Sequence, residues 1–195
     1  MANLELFERQ TALVRMNGDW LRQALRLLDG LDDKAYLTSP RAMAPHKVAG
    51  HMRHIIEFYE CFLEGLELCH VDYDARRRDP AIESSPKVAM ERIVALLDRL
   101  EFEPALRGDG AIFVRLEDAS ALQLAEPFLL SSVGRELQVL SSHTIHHFAL
   151  IAMTLRAHGR PVAPDFGVAP STLSFRKRLE ATGKETPQPF VEAAA

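Results

Sequence analysis

Five of the chain's eight histidines fall in two short windows, His51 and His54 in the first, and His143, His146 and His147 in the second. A neutral imidazole carries a free lone pair at physiological pH and is the commonest protein ligand for borderline divalent metals. At about 100° per residue on a helix, His143 and His147 project roughly 40° apart on neighbouring turns, so both rings can reach one ion. Two ligands leave a divalent ion under-coordinated, and a third must come from elsewhere, as in three-histidine zinc sites. His51 or His54 supplies it if the two windows are neighbours in the fold. A single helical histidine is more often a surface residue or a hydrogen-bonded one. It is the clustering that points to metal, because several imidazoles buried together need a common partner.

The elements that must position these rings read as helices. Apolar spacing gives a first helix from about Leu4 to Leu28, ended by Gly30, and a second from about His46 to Leu68, with Val48, Met52, Ile55, Tyr59, Phe62 and Leu66 on one face. A third begins at Ser85-Pro86, a cap residue followed by proline at the first helical position, and runs through Leu100. A fourth starts near Ser132 and stops at Gly159, with Pro161 just beyond. These patterns predict an all-α fold: a four-helix bundle over residues 1–159 with an irregular C-terminal extension, 160–195, packing on it. Cys69 to Ser84 is longer than the usual link between antiparallel neighbours, so a crossover making the second and third helices parallel is expected. Ile112 to Leu116 and Leu122-Gln123-Leu124 suggest a small hairpin, and Ser171 to Ala181 one short helix in the tail.

Composition narrows the class. The chain has 195 residues, 47% hydrophobic and 26% charged, which suits one folded domain and disfavours disorder. A net charge of −4 gives no cationic footprint for nucleic acid, and the one basic run, Arg76-Arg77-Arg78, is flanked by Asp72, Asp74 and Asp79. Leu137 to Leu155 is uncharged but carries three histidines, Gln138, two serines and two threonines, so a buried helix is the better reading than a membrane span. Two cysteines, Cys61 and Cys69, make no disulfide framework, and the acidic N-terminus lacks the apolar region of a signal peptide; a cytoplasmic protein is expected.

Helical-wheel arithmetic ranks the histidines by their distance from the apolar face. On the fourth helix His147 lies about 60° from its centre, His143 about 100° and His146 about 160°; on the second, His51 lies about 60° away and His54 about 120°. Geometry alone therefore prefers His51 as the third ligand. The residues Ala49-Gly50-His51-Met52-Arg53-His54, then Phe58-Tyr59-Glu60, with Ser142-His143-Thr144-Ile145-His146-His147, together resemble the DinB family of four-helix metal-binding proteins. The resemblance covers roughly residues 5 to 158 and implies a divalent metal, usually nickel or zinc and sometimes iron, held by His54, His143 and His147. His51, one turn before His54, is then a partner of a ligand or an alternative ligand.

By the same resemblance the activity is a metal-dependent thiol S-transferase or hydrolase acting on a small electrophile, with a low-molecular-weight thiol as cosubstrate. Non-catalytic metal binding, or a stress-response role, is the competing expectation. A homodimer is expected too, with Leu6, Leu13, Trp20 and Leu25 of the first helix available to pair. Among other polar groups, Glu57 lies one turn beyond His54 and is a candidate to orient an imidazole. Cys61 is two turns away and reads as a small core residue.

Overall fold

The computed structural model describes residues 2–115 and 127–182; the expected strand at Leu122-Gln123-Leu124, Leu116, and the prolines Pro187 and Pro189 lie outside them. The described chain is mostly helical, with helices α1 (Ala2–Asp29), α2 (Asp33–Leu37), α3 (Val48–Leu68), α4 (Pro80–Ser84), α5 (Pro86–Phe102), α6 (Val133–Ala157) and α7 (Pro170–Ala181). A small sheet accompanies them: β1 (His70–Val71), β2 (Ala111–Arg115) and β3 (Phe128–Ser132) in that spatial order. The first expected strand falls on β2, whose described partner is β3. β2 pairs antiparallel with β3, from Ala111 opposite Ser132 to Arg115 opposite Phe128, and β1 adds a parallel strand on its other side.

Local chemistry fixes the helix ends. The Ser85 hydroxyl accepts from the amide of Val88 with Pro86 at the first helical position, and the Ser132 hydroxyl accepts from the amide of Arg135. Asp109 also takes the amide of Gly134, satisfying a second free donor at the start of α6. Gly159, at φ +71°, supplies the left-handed residue beyond the end of α6.

The four long helices pack round one core, α1 and α3 each lying against both α5 and α6. Their directions follow from which residues meet. Asn17 reaches Leu137 and Trp20 reaches Ser141, so α1 and α6 run the same way. Arg92 meets Glu60 and Arg99 meets Leu63, so α3 and α5 also run the same way. His51 meets His147 and His54 meets His143, so α3 and α6 are antiparallel. The connection from α3 to α5 must therefore travel back along the molecule, and it does so through β1, the turn Tyr73–Ala75 and α4.

Leu21, Ile56, Phe62, Ile93, Leu137 and Ile151, from all four long helices, are fully buried, each contributing about 1.5–3 kcal/mol of burial free energy. One polar cluster ties three helices inside this core. Asn17 donates to the carbonyls of Leu13 and Leu137 and accepts from the Tyr59 hydroxyl at 2.7 Å, and Thr144 lies 3.3 Å from the same hydroxyl. Every member is satisfied, as burial demands. Trp20 is 8% exposed, donates to Ser141 and meets Phe148 edge-on, so it belongs to this core and is not free to form a dimer face.

In the described part of the extension, α7 falls on the short helix expected from Ser171 to Ala181. Arg160 pairs with Asp32, Phe166 is buried and stacks on Phe148 at 4.6 Å, and α7 follows. No described helix is long and apolar enough to cross a membrane.

Candidate metal centre

Antiparallel packing of α3 on α6 brings two histidine pairs face to face. Nε2 of His54 lies 3.1 Å from Nε2 of His143, and Nε2 of His147 lies 3.0 Å from that same atom. His54, His143 and His147 form a group whose ligand atoms all lie within 4.8 Å of one another. A first-row ion at about 2.0–2.1 Å from each nitrogen would hold pairs of nitrogens about 2.9–3.4 Å apart, for angles between octahedral and tetrahedral. Two of the three pairs, at 3.0 and 3.1 Å, fall in that range, and the third lies within 4.8 Å. Hydrogen bonding alone suits the arrangement poorly, because His143 Nε2 faces two other nitrogens and a neutral ring has one proton to share. A shared cation satisfies all three lone pairs. The donor set therefore fits a divalent metal of the imidazole-binding kind.

The surroundings keep these rings neutral. Burial lowers the pKa of His54 to about 3, His143 to about 4 and His147 to about 2, with neighbouring histidine charge adding to the effect in each case. The lone pairs are thus free at physiological pH without losing a proton first.

His51 occupies a different place. Its Nδ1 lies 3.0 Å from Nδ1 of His147, on the side of the ring away from the cluster, and its ring stacks on His46 at 5.2 Å. With His147 Nε2 given to an ion, the proton of that ring sits on Nδ1 and is donated to His51, which fixes both tautomer and orientation. Nε2 of His51 is then buried without a partner. The wheel's preference for His51 as the third member of the cluster is corrected: His54 joins His143 and His147, and His51, half-buried like His54, meets the other nitrogen of His147. His146 is exposed on the outer face of α6, as its wheel angle implied.

Three groups about the site were given no role from sequence, although Phe58 stands in a segment that carries the resemblance. Phe58, one turn beyond His54, lies 3.9 Å from the His143 ring and 4.6 Å from the His54 ring. Tyr73 stacks on Phe58 at 4.9 Å and is anchored by donating to Glu136, which also accepts from Ser131. Arg76 lies over Phe58, its guanidinium carbon 4.8 Å from the ring centroid. The i, i+4 spacing of His54 and Phe58 was a readable signal for the first; nothing in sequence tied Tyr73 or Arg76 to the histidines.

Other candidates are engaged elsewhere. Glu57 is buried but accepts from the backbone amide of Asp79 at 2.6 Å, holding the start of α4 rather than an imidazole. The Cys61 thiol is half-buried and pushed up to about 11 by burial, so it stays protonated and lies outside the cluster. Asp72 caps the amides of Asp74 and Ala75 and pairs with Arg115. Residues Asp165 to Val168 are held by other groups: Phe166 stacks on Phe148, and Gly167 donates to Gln23.

No family model matches the chain, and no solved structure matches it. Over 109 residues it is 34% identical to FK506-binding protein 5 of Rhizopus delemar, a match covering 55% of this chain and 28% of that protein. The chain thus spans little more than a quarter of that relative's length.

Proposed function

We propose that this chain is a DinB-like four-helix-bundle metalloprotein in which His54, His143 and His147 hold one divalent ion, nickel or zinc in the first instance, with iron as the third choice. The observation that carries this reading is the convergence of three neutral Nε2 atoms from two helices. When bound, the ion would supply Lewis acidity and lower the pKa of a thiol or water on its remaining positions. The reading is a thiol S-transferase acting on a small electrophile, with hydrolysis as the related outcome. In it, the histidines grip through Nε2, His51 keeps His147 in register, and Phe58 with Tyr73 forms a dry wall beside the reacting groups. Low dielectric there strengthens the ion's hold on an anionic ligand. Cys61 and Cys69 are both unpaired, which suits a reducing cytoplasm. The same reading includes a homodimer through α1, where Leu4 and Phe7 are exposed; a monomer in light scattering at micromolar concentration would overturn that part.

The test is metal content after purification without chelator. One equivalent per chain is expected, and it should vanish in the double variant His143→Ala, His147→Ala while helical circular dichroism persists. Unchanged stoichiometry in that variant would refute the site. Absence of turnover by the loaded protein across several thiols and electrophiles would leave metal binding without catalysis.

A further inference from the structure

Arg76 is the unusual cation at this end of the molecule. It is half-buried, and one of its nitrogens donates to the carbonyl of Tyr73. Four arginines around it are paired with carboxylates, Arg77 with Glu64 at 2.6 Å, Arg92 with Glu60 at 2.6 Å, Arg53 with Glu83 at 3.0 Å and Arg115 with Asp72 at 2.9 Å, while Arg78 is exposed to solvent and donates to the Arg76 carbonyl. Among the described residues Arg76 has no such partner. A partly desolvated guanidinium without an anion is costly, because buried charges are ordinarily paired. What it has is a position. It lies on the Phe58 ring, and that ring touches both His143 and His54.

We propose that Arg76 binds an oxyanion, a carboxylate, sulfonate or phosphate, carried by the thiol cosubstrate whose sulfur engages the histidine centre. This rests on the metal and thiol reading above and adds the charge of the cosubstrate to it. The planar guanidinium still has donors beyond the one used on Tyr73, in a fork that matches two oxygens of an oxyanion. The phenyl ring beneath it fixes its plane through a cation–π contact and excludes water from one side. One aromatic ring separates it from the imidazoles, so a thiol and an anionic group a few atoms apart can engage both ends at once. A neutral thiol would leave the guanidinium as unpaired as it is now, and a cationic one would be repelled.

The experiment uses the full chain loaded with cobalt(II), whose visible bands report metal binding and whose thiolate charge-transfer absorption reports sulfur binding. It is titrated with three thiols of equal reach: 2-mercaptoethanesulfonate, 2-mercaptoethanol and 2-aminoethanethiol. The sulfonate should bind about 10-fold more tightly than the alcohol, the size of one charge-assisted hydrogen-bonded pair. Arg76→Met should bring the two to equal affinity with the cobalt bands unchanged, Arg76→Lys should keep part of the preference, and Arg76→Glu should turn it toward the amine. Equal affinities in the unaltered protein, or a preference that survives Arg76→Met, would overturn the assignment of Arg76 while leaving the metal centre standing. Failure of cobalt to bind, or of every thiol to give a charge-transfer band, would overturn the metal and thiol reading itself and this inference with it.

Discussion

Replacing His54 by alanine removes one of three nitrogens facing a common point, whereas replacing His51 removes a hydrogen-bond partner on the far side of His147. The two substitutions should therefore differ in kind. His54→Ala is expected to lower zinc affinity by several orders of magnitude, because a bond to the ion is lost. His51→Ala should cost roughly 10- to 100-fold, the range for a group that orients a ligand. Competition against a zinc chelator near neutral pH measures both, and a reversed order would move the ion to the other side of His147. Sequence spacing could place both histidines on α3 but could not rank them. A wheel angle measures only the offset of a position from the apolar face. Coordination depends on which nitrogen of which ring faces the partner helix, and that is a matter of inter-helix register. For Arg76 the limit is sharper still: its relation to the histidines passes through Phe58, a contact between a loop and a helix that no local pattern announces.

At the scale of elements, the long helices were readable because each carries its own period and its own punctuation. Ser85-Pro86, Ser132 and Gly159 mark boundaries by local chemistry, and the observed ends fall there. β1 and α4 were not readable, since two and five residues hold no period and their pairing is set by distant chain. β1 docks onto α3 through Gly65, where an added Cβ would lie 2.4 Å from the His70 carbonyl oxygen and 2.7 Å from Val71 Cγ2. Gly65→Ala is therefore expected to destabilise the fold by about 1–3 kcal/mol, the usual cost of forcing atoms into a packed contact. Denaturant unfolding measures it; a neutral result would mean that β1 can shift without consequence. Phe166→Ala tests the returning tail in the same way. Loss of a buried phenyl stacked on Phe148 should cost about 3 kcal/mol, yet metal stoichiometry should hold, because the ring packs away from the histidine cluster. Loss of metal in that variant would tie the tail to the site.

Across the whole molecule, the three tyrosines sample separate joints of the fold, and all are sealed. Tyr36 of α2 is buried and donates to the carbonyl of Ile82 at 2.6 Å; Tyr59 sits in the polar cluster joining α1, α3 and α6; Tyr73 ties the crossover to α6 through Glu136. Burial is the leading cause that raises the pKa of each phenol, with the Glu83 charge adding at Tyr36 and the Glu136 charge at Tyr73. A group whose pKa is higher in the folded chain leaves stability intact below its unfolded value, about 10 for tyrosine, and withdraws it as pH rises from there toward the folded value. Above about pH 10 the unfolded chain sheds three phenolic protons that the folded chain retains, so base drives unfolding. The expected titration has no phenolate absorbance through about pH 10, then a single cooperative rise coinciding with loss of far-ultraviolet circular dichroism, whereas the chain in denaturant titrates near its ordinary value of about 10. Phenolate appearing near pH 10 with helicity intact would show that at least one joint opens on its own. Substituting phenylalanine for one tyrosine at a time would then identify which joint it is, since the missing absorbance step names the phenol that had been exposed.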